Sequence, residues 1–475
     1  MVHCFKKNGY NIVLDVNSGS VHQVDDVAYD MIQMYESSTP EQIIEAMLEK
    51  YKDRADVTRQ DLQATIEDIE ELKKSGQLFS KDMFENVQWN FKKRQSVLKA
   101  LCLHVAQDCD LACKYCFAGQ GEYHTGRSLM SYETGKQALD FLIQSSGSRH
   151  NLEVDFFGGE PLLNWDVVKK LVAYGRSKEK EYDKNFRFTI TTNGMGINDD
   201  VIDFCNKEMS NVVLSLDGRK ETNDRMRSTR AGVGSYDIIV PKFKKLVEKR
   251  LQGPEGRREY YIRGTFTHYN LDFLQDILHM ADLGFTELSI EPVVASPDAP
   301  YALKPEDLPV INEQYDQLAK EMLKRRREGR GFTFYHYMID LEGGPCIVKR
   351  ISGCGVGTEY LAVNANGDLY PCHQFAGEEP YKVGNVYDGI TRPEVADEFK
   401  ECNVYSHEEC KSCFARLYCS GGCAANAMHT TGSIKGVYKF GCDIHRNRIE
   451  NALMLKVAEQ ADKDAAEEAE REKAE

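Results

Sequence analysis

The chain has 475 residues, 41% of them hydrophobic, and a formal net charge of −15. Its length exceeds one ordinary core, so we expect two or three domains. The negative charge disfavours a nucleic-acid partner, which needs a concentrated basic surface. No apolar run reaches the roughly 18 residues of a membrane span, and the first residues lack the apolar stretch of a signal peptide. We therefore expect a cytoplasmic protein with no membrane partner.

Residues 1–92 are predicted to form a small winged-helix-like domain. The predicted elements are two strands, Tyr10–Leu14 and Val21–Val24, joined by the turn Asn17-Ser18-Gly19, and three helices that begin near Asp26, at Thr39-Pro40 and before Leu62. Thr39 with Gln42 predicts a capping box at the second helix. The third helix is expected to stop at Gly76.

Residues 93–335 alternate between strand and helix patterns. The six predicted strands are Leu98–Val105, Leu152–Phe157, Phe188–Thr192, Val212–Leu216, Tyr260–Thr267 and Leu288–Val294. Such alternation indicates an α/β domain with a parallel sheet. Six units are too few for a closed eight-stranded barrel, so we expect a partial (β/α)6 barrel.

Residues 336–456 are poor in regular pattern and rich in Cys and Gly, so we expect this domain to bury little apolar surface and to depend on bound metal clusters. Residues 457–475 form a charged tail, expected to be a solvated helix or a frayed end.

Clustered cysteines are the strongest compositional signal. The chain has 15 cysteines, and all but Cys4 and Cys205 fall within residues 102–116 and 346–442. An odd count without a signal peptide is a poor disulfide framework. In a reducing compartment, grouped thiols indicate metal or iron–sulfur ligation, whereas an isolated cysteine behaves as a small buried hydrophobe.

The first group is Cys109-x3-Cys113-x2-Cys116, directly after the first core strand. Three thiolates can hold three irons of a cubane cluster and leave the fourth iron open for a chelating molecule. A structural zinc site closes with four ligands, and no fourth Cys or His stands at finger spacing here. Zinc and simply buried thiols are the alternatives.

Further motifs follow successive strands. They are Gly158-Gly159-Glu160-Pro161, Thr191-Thr192-Asn193-Gly194 and Ser215-Leu216-Asp217-Gly218. A further signal is the aromatic Phe117, which directly follows Cys116. Loops at the carboxyl ends of parallel strands converge on one face. Together these motifs resemble the radical S-adenosylmethionine (SAM) superfamily.

That resemblance makes Cys109, Cys113 and Cys116 the ligands of the catalytic cluster. It also implies a set of SAM-binding residues, which are Phe117, Gly158, Gly159, Glu160, Asn193, Ser215 and Arg227. Within this set, Glu160 is expected to accept a hydrogen bond from the SAM amino group. Ser215, with Asn193 and Arg227, is assigned to the SAM ribose and carboxylate.

A second array consists of Cys354, Cys372, Cys410, Cys413, Cys419, Cys423 and Cys442. Cys410-x2-Cys413 alone would suit a zinc ribbon, but the full spacing resembles SPASM domains, which hold auxiliary iron–sulfur clusters. The resemblance implies one cluster on Cys410, Cys413, Cys419 and Cys442 and another on Cys354, Cys372 and Cys423, so that the protein would hold three 4Fe–4S clusters. Cys346 could be the fourth ligand of the cluster on Cys354, Cys372 and Cys423. If it is not a ligand, that cluster has an open iron that could bind a substrate thiolate.

The N-terminal strands and helices resemble the small domains that bind leader peptides of ribosomally made natural products. Such a domain would add the leader as a strand at a sheet edge. The alternatives are a structural winged-helix cap and a DNA-binding winged helix. Acidic residues on the third helix, including Asp61, Glu67 and Glu70, disfavour DNA.

The three parts together resemble thioether-forming peptide maturases, and most closely those of the SCIFF peptides (six cysteines in forty-five residues). The resemblance implies that an electron from a donor such as flavodoxin or ferredoxin leads to SAM cleavage. The 5′-deoxyadenosyl radical would then remove a hydrogen from an acceptor residue, expected to be Thr, of a bound precursor peptide. A Cys thiolate of that peptide would join the same carbon. The alternatives are an anaerobic sulfatase-maturing enzyme and a non-catalytic, zinc-stabilised peptide-binding scaffold.

Overall fold

The computed structural model describes residues 1–85, 96–253, 259–343 and 345–474. It contains a small N-terminal domain, a large α/β core and a cysteine-rich C-terminal domain, as expected from the sequence. The predicted boundary between residues 92 and 93 lies outside the described residues. Among the described helices, none combines the length and hydropathy needed to span a bilayer.

The N-terminal domain is an antiparallel sheet of order β1-β2-β3 with three helices. Its elements are β1 (Val2–Lys7), β2 (Tyr10–Asp15), β3 (Val21–Val24), α1 (Asp26–Met34), α2 (Pro40–Lys50) and α3 (Arg59–Lys74). The capping box is confirmed, because the Thr39 N–H donates to Gln42 Oε1 (2.9 Å) and the Gln42 N–H donates to Thr39 Oγ1 (3.4 Å). β1 is an addition to the predicted elements. The helices bury Ile43, Met47 and Ile66 in a separate small core.

The core sheet has six central strands that run parallel in the order β10-β9-β8-β7-β6-β4. The elements, in chain order, are β4 (Ala100–Gln107), β5 (Ser128–Leu129), α4 (Tyr132–Ser145), β6 (Asn151–Gly158), α5 (Trp165–Tyr182), β7 (Asn185–Thr192), α6 (Asp199–Glu208), β8 (Asn211–Ser215), α7 (Lys220–Met226), α8 (Tyr236–Leu251), β9 (Glu259–Phe266), α9 (Phe273–Asp282), β10 (Glu287–Pro292), α10 (Leu308–Arg327) and β11 (Thr333–Phe334). All six predicted strands are confirmed. β10 and β4 lie at opposite ends of the set, so the barrel is partial.

The C-terminal domain is more regular than the sequence predicts. Its elements are α11 (Ile347–Ser352), β12 (Tyr360–Val363), β13 (Asp368–Tyr370), β14 (Gly384–Asn385), β15 (Gly389–Ile390), α12 (Pro393–Lys400), α13 (Glu408–Lys411), α14 (Arg416–Cys419), α15 (Ala424–Thr431) and α16 (Lys439–Ala474). β12 pairs in parallel with β4, and β13 to β15 continue the sheet.

The expectation that this domain buries little apolar surface is wrong. Leu361, Leu369 and Phe375 are completely buried in the main core. The four strands are only two to four residues long. Segments of that length are too short to show the alternation by which a strand is recognised.

α16 is one continuous helix that touches all three parts of the protein. It packs against α10 and against the N-terminal strands. Arg327 on α10 pairs with Asp462 at 2.8 Å, and Arg326 pairs with Glu459. The predicted boundary at residues 456 and 457 therefore falls inside a helix, and the charged tail is its continuation.

Arg250 is a completely buried cation on α8. Its guanidinium donates to the carbonyl oxygens of Cys205, Met209, Ser210 and Glu259 at 2.7–3.1 Å. These bonds join α8 to the chain between α6 and β8 and to the start of β9, so Arg250 fixes neighbouring strands at the end opposite the motifs.

We expect Arg250→Met to lower the free energy of unfolding by roughly 2–4 kcal/mol, because several buried carbonyl groups lose their donors. Arg187→Met is the control, since the Arg187 side chain is 45% exposed and pairs with Glu259. It should cost less than about 1 kcal/mol. Chemical denaturation of both variants gives the comparison, and equal stabilities would contradict the role of Arg250.

Candidate active site

The carboxyl ends of the parallel strands open into a cavity of about 620 Å³. Both cysteine groups contribute to its lining, which includes Cys109, Cys113, Cys116, Cys419, Cys423 and Cys442. The first three lie in the loop after β4, and the others come from the C-terminal domain. The core and the C-terminal domain therefore enclose one shared space.

The loop of residues 109–116 is held by the chain that follows α7. The Ala112 N–H donates to the Ser228 carbonyl (2.8 Å), and the Lys114 N–H donates to the Met226 carbonyl (2.9 Å). These bonds leave the thiols of the loop half-buried, so the loop presents them to the cavity on a fixed backbone.

Burial sets the proton affinity of these thiols. It raises the pKa of Cys109 to about 12, and the nearby Glu160 and Asp110 act in the same direction. Burial also raises the pKa of Cys113. All cysteines of the chain are free. Since the thiolate is the ligand, loading a cluster here would release protons.

Gly158 and Gly159 allow the chain after β4 to cross the end of β6 closely. The Gly159 N–H donates to the Ala106 carbonyl (2.7 Å). Gly158 has φ +128°, which favours glycine, and a Cβ there would meet the Ala106 oxygen at 2.3 Å. A Cβ on Gly159 would meet the Asp108 oxygen at 2.2 Å. The two glycines therefore fix the chain just before Cys109.

Glu160 is 1% exposed and is not among the described residues that line the cavity. Its carboxylate accepts hydrogen bonds from the Leu162 N–H (3.0 Å), the Thr192 hydroxyl (2.8 Å) and the Asn193 N–H (2.7 Å). Burial raises its pKa to about 7, against the effect of these bonds. A carboxylate accepts about four hydrogen bonds, so the predicted contact with the SAM amino group stays a prediction. The structure gives Glu160 a further task, which is to join the ends of β6 and β7.

The other predicted SAM-binding residues lie around the cavity. They are Phe117, Gly158, Gly159, Asn193, Ser215 and Arg227. The Asn193 amide donates to Asp110 Oδ1 (2.6 Å) and lies 3.5 Å from the Cys109 sulfur. Asn193 therefore connects the end of β7 to the cysteine loop.

A buried polar network connects the cysteine loop to the ends of β8 and β9. Arg227 donates to the Tyr115 hydroxyl (2.9 Å), which donates to both oxygens of Asp217 (2.7 and 2.8 Å). Asp217 also accepts from the Thr265 N–H (3.0 Å). The sequence analysis assigned a role to Arg227 and quoted Asp217 within a motif, but it gave no role to Asp217 or Tyr115. The signal for Tyr115 is its place inside the cysteine motif, and that for Asp217 is its place directly after a buried strand.

The cysteines of the C-terminal domain lie in two groups. Burial raises the pKa of Cys372 to about 12, with smaller effects from Cys423 and Cys354. Burial likewise raises the pKa of Cys419 to about 12, and smaller effects come from its neighbouring thiols, which are Cys442, Cys410 and Cys413. Cys346 is exposed at the start of α11.

The donor sets fit iron–sulfur clusters. In the described chain, no three Cys, His, Asp or Glu side chains converge on a single-ion position. A four-iron cluster does not need such convergence, because each thiolate binds a different iron. The chain provides groups of free thiols, most of them half-buried, and a cavity large enough for a small molecule beside the first group.

The cavity wall also carries charged residues from β9, β10 and α16. Glu291 lies 3.1 Å from His336 Nε2 and 3.7 Å from Arg448 Nη1. Despite burial, the attraction of these groups holds the pKa of Glu291 well below its usual range. The Nε of Arg448 and the Nε2 of His445 are buried without a described hydrogen-bond partner. Arg263, His445 and Arg448 all line this wall of the cavity.

Three family models match the chain. The Radical SAM superfamily model matches residues 103–281, the model of coenzyme PQQ synthesis protein D (PqqD) matches residues 11–73, and SPASM, an iron-sulfur cluster-binding domain, matches residues 354–414. The core of this enzyme is a radical SAM domain. A radical SAM core and a SPASM domain imply SAM and 4Fe–4S clusters as its cofactors.

Known proteins are similar to this chain in sequence. The chain is 25% identical to a cysteine-type anaerobic sulfatase-maturating enzyme of Clostridium novyi (strain NT), over 69% of this chain and 88% of that protein. It is 22% identical to the radical SAM cyclopropyl synthase TigE of Paramaledivibacter caminithermalis, over 74% and 72%.

Two solved structures are similar in fold. Native anSMEcpe with bound AdoMet and Cp18Cys peptide has a TM-score of 0.62 at 20% identity and covers 77% of this chain and 99% of its own. Streptococcus suis SuiB bound to precursor peptide SuiA has a TM-score of 0.50 at 17% identity and covers 92% and 97%.

We expect Gly159→Ala to lower 5′-deoxyadenosine formation from SAM by roughly 100-fold, because the new Cβ displaces the Asp108 backbone and with it the cysteine loop. Gly331→Ala is the control, since the nearest atom to its Cβ lies at 3.5 Å. Anaerobic assays with dithionite measure both variants. A Gly159→Ala enzyme that cleaves SAM at the wild-type rate would show that the close crossing is not needed.

Proposed function

We propose that this radical SAM enzyme matures a ribosomally made, cysteine-rich precursor peptide. It would form thioether crosslinks between a Cys sulfur and a carbon of an acceptor residue, with Thr as the expected acceptor. The observation that supports this most directly is the cavity lined by both cysteine groups. A peptide in that space would lie between the site of SAM cleavage and the thiols of the C-terminal domain.

The cofactors, when bound, supply the 5′-deoxyadenosyl radical that removes a hydrogen atom from the acceptor carbon. Formation of one C–S bond then takes one hydrogen from carbon and one from sulfur, and one electron remains to be accepted. We assign Cys109, Cys113 and Cys116 to the catalytic cluster. Two auxiliary 4Fe–4S clusters, which would make three in total, are assigned to Cys354, Cys372 and Cys423 and to Cys410, Cys413, Cys419 and Cys442. Flavodoxin or ferredoxin is the proposed electron donor.

The residues of the chain supply position and the exclusion of water. The network of Tyr115, Asp217 and Arg227 keeps the cysteine loop against the strand ends. Arg263 and Arg448 line the opposite wall of the cavity, and we assign them to the binding of carbonyl or carboxylate oxygens of the peptide.

The leader of the precursor would bind at the outer edge of β3. The Asp15 N–H donates to the Ser20 carbonyl (2.9 Å), and the same register pairs Val13 with His22 and Ile12 with Gln23. Because bonded and non-bonded pairs alternate in an antiparallel ladder, Gln23 directs its N–H and C=O away from β2. An extended leader could pair with these groups.

We expect Gln23→Pro to weaken leader binding roughly tenfold, because it removes an outward N–H worth about 1 kcal/mol or more. The β2–β3 ladder should persist, since that N–H does not belong to it. Gln23→Ala keeps the N–H and serves as the control. Fluorescence anisotropy with a labelled synthetic leader measures both, and equal affinities would place the leader elsewhere.

The runner-up function is formylglycine formation on a Cys or Ser of a sulfatase. The similarity to sulfatase-maturating enzymes favours it. Formylglycine formation does not require a leader-binding domain. The PqqD-type domain over residues 11–73 therefore favours a leader-bearing peptide as the substrate. The products differ chemically, because formylglycine is an aldehyde that reacts with hydrazides and a thioether is not.

Mass spectrometry after anaerobic reaction tests the proposal with a small Cys-rich precursor. We expect a loss of two hydrogens per crosslink, one Cys fewer open to alkylation and no hydrazide adduct. Cys113→Ala should abolish both this product and 5′-deoxyadenosine, because the catalytic cluster loses a ligand, while the auxiliary clusters stay in place. Cys205→Ala, a buried cysteine outside both groups, is the control.

Two results would overturn the proposal. A hydrazide adduct would favour the sulfatase-maturing reaction. A colourless, anaerobically purified protein that contains zinc and no iron would favour the non-catalytic scaffold.

A further inference from the structure

The segment from Cys410 to Cys419 carries three of the thiols assigned above to the second auxiliary cluster. Its regular structure consists of two helices of four residues each, α13 and α14. Such short helices are not stable alone. The position of Cys413 and Cys419 must therefore be set by contacts with the rest of the protein.

Arg416, between those two cysteines, reaches the N-terminal domain. Its side chain is 4% exposed. Its guanidinium donates to Asn17 Oδ1 (2.6 Å) and to Asp82 Oδ2 (2.8 Å), and also to the Lys411 carbonyl within the segment. A buried guanidinium is costly unless it is paired, so Asp82 and Asn17 fix where Arg416 lies.

Phe414 makes a second contact with the same domain. Its ring stacks on that of His3 in β1, with centroids 3.6 Å apart and planes 3° apart. His3 is held in turn, because its Nε2 lies 3.0 Å from Glu450 Oε1 on α16. We call the contacts of Asp82, Asn17 and His3 with Arg416 and Phe414 the clamp.

The clamp residues of the N-terminal domain are themselves well ordered by their neighbours. Asp82 accepts from the Phe84 N–H (2.8 Å) and from the Tyr405 hydroxyl (3.1 Å). Phe84 packs beside a small buried cluster of Ile351, Val404 and Leu417, which Cys410 also contacts. The N-terminal chain therefore contributes to the core beneath the cysteine segment.

Asp15 connects the clamp to the N-terminal sheet. Its completely buried carboxylate accepts from the backbone N–H groups of Asn17 (3.1 Å), Ser18 (3.0 Å) and Ser80 (2.8 Å). The Asn17 amide also donates to the Ser80 carbonyl (2.7 Å). These hydrogen bonds therefore hold the end of β2 and the chain before Asp82 in one arrangement.

We propose that the N-terminal domain is a structural part of the second auxiliary cluster site, with Arg416 and Phe414 as positioning residues. They act on Cys413 and Cys419 through the segment that the clamp holds. The proposal rests on the assignment of a cluster to Cys410, Cys413, Cys419 and Cys442. It gives the domain a task separate from leader binding at β3, so deletion of the domain would remove both functions at once.

Asp82→Asn in the full-length protein tests this. The amide oxygen can still accept from the Phe84 N–H, but the buried Arg416 loses its counter-ion. Asp30→Asn is the matched control, because the Asp30 side chain is 17% exposed against 12% for Asp82 and also pairs with a lysine and a tyrosine, Lys50 and Tyr51, inside the N-terminal domain. Asn17→Ala is a milder second variant.

Three measurements are made on each protein. Hydrogen exchange of the metal-free protein should be faster for residues 408–419 in Asp82→Asn, with unchanged protection of β1 to β3. After anaerobic reconstitution, Asp82→Asn should lack about four iron atoms and the matching sulfide of one 4Fe–4S cluster, with loss of one component of the electron paramagnetic resonance spectrum. Reduction of SAM to 5′-deoxyadenosine should persist, because Cys109, Cys113 and Cys116 lie outside the clamp.

The inference would be overturned if both Asp82→Asn and Asn17→Ala kept the iron content and the full electron paramagnetic resonance spectrum of the wild type. This holds even if residues 408–419 exchange faster. If β1 to β3 also lose protection in Asp82→Asn, that variant disturbs the N-terminal sheet itself. The iron content and spectrum of Asn17→Ala then decide the test. A wild-type protein without an auxiliary cluster on these cysteines would instead refute the cluster assignment itself, which separates the failure of the proposed function from that of the clamp.

Discussion

The parallel ladder between β4 and β12 is the constraint on which the rest of the site depends. It pairs Tyr360 with Ala100 and Val363 with Leu103 in the interior of the sheet. β4 leads directly to Cys109, and β12 leads through β13 to Cys372. The ladder makes the C-terminal domain a continuation of the core sheet and holds its chain beside the strand that leads to Cys109. A slip of one residue would turn every side chain of β12 to the other face, so this register sets how the two domains that line the cavity fit together.

A second constraint is the cost of burying polar groups. Around the cavity, buried polar side chains form hydrogen bonds with side chains of neighbouring elements, which offsets this cost. Examples are Tyr115 with Asp217 and Arg227, and Glu160 with Thr192. Each network joins a cysteine-bearing or glycine-bearing loop to a neighbouring strand. Charged residues near the cofactor sites therefore contribute to the shape of the cavity as well as to its electrostatics.

Sequence patterns predicted the long elements and the local motifs well. The six core strands are long enough to be recognised, and the capping box at Thr39 depends only on residues three apart. The patterns failed where tertiary contacts decide the structure. β12 is a strand because β4 lies beside it, and its four residues carry no periodic signal. Tyr115 and Asp217 are 102 positions apart, so their contact could not be read from spacing.

The same limit applies to the candidate site. The cysteines and glycines were found from short spacings, which report local geometry. Arg448 and Glu291 meet only because α16 crosses the end of β10, and no local pattern predicts such a crossing. The sequence therefore identifies the cysteine- and glycine-bearing loops of the site, whereas the opposite wall is known only from the fold.

The continuity of α16 has a consequence for how the protein is made. Cys442 lies on α16 and is synthesised after Cys410, Cys413 and Cys419, whereas Cys109, Cys113 and Cys116 are synthesised much earlier. Domains fold from the N-terminus during synthesis, so β1 to β3 exist before α16 arrives to pack on them. The thiol set that includes Cys442 is therefore incomplete until α16 has been made, long after the synthesis of Cys109, Cys113 and Cys116. The contact between His3 and Glu450 then joins the early strand β1 to the late helix α16.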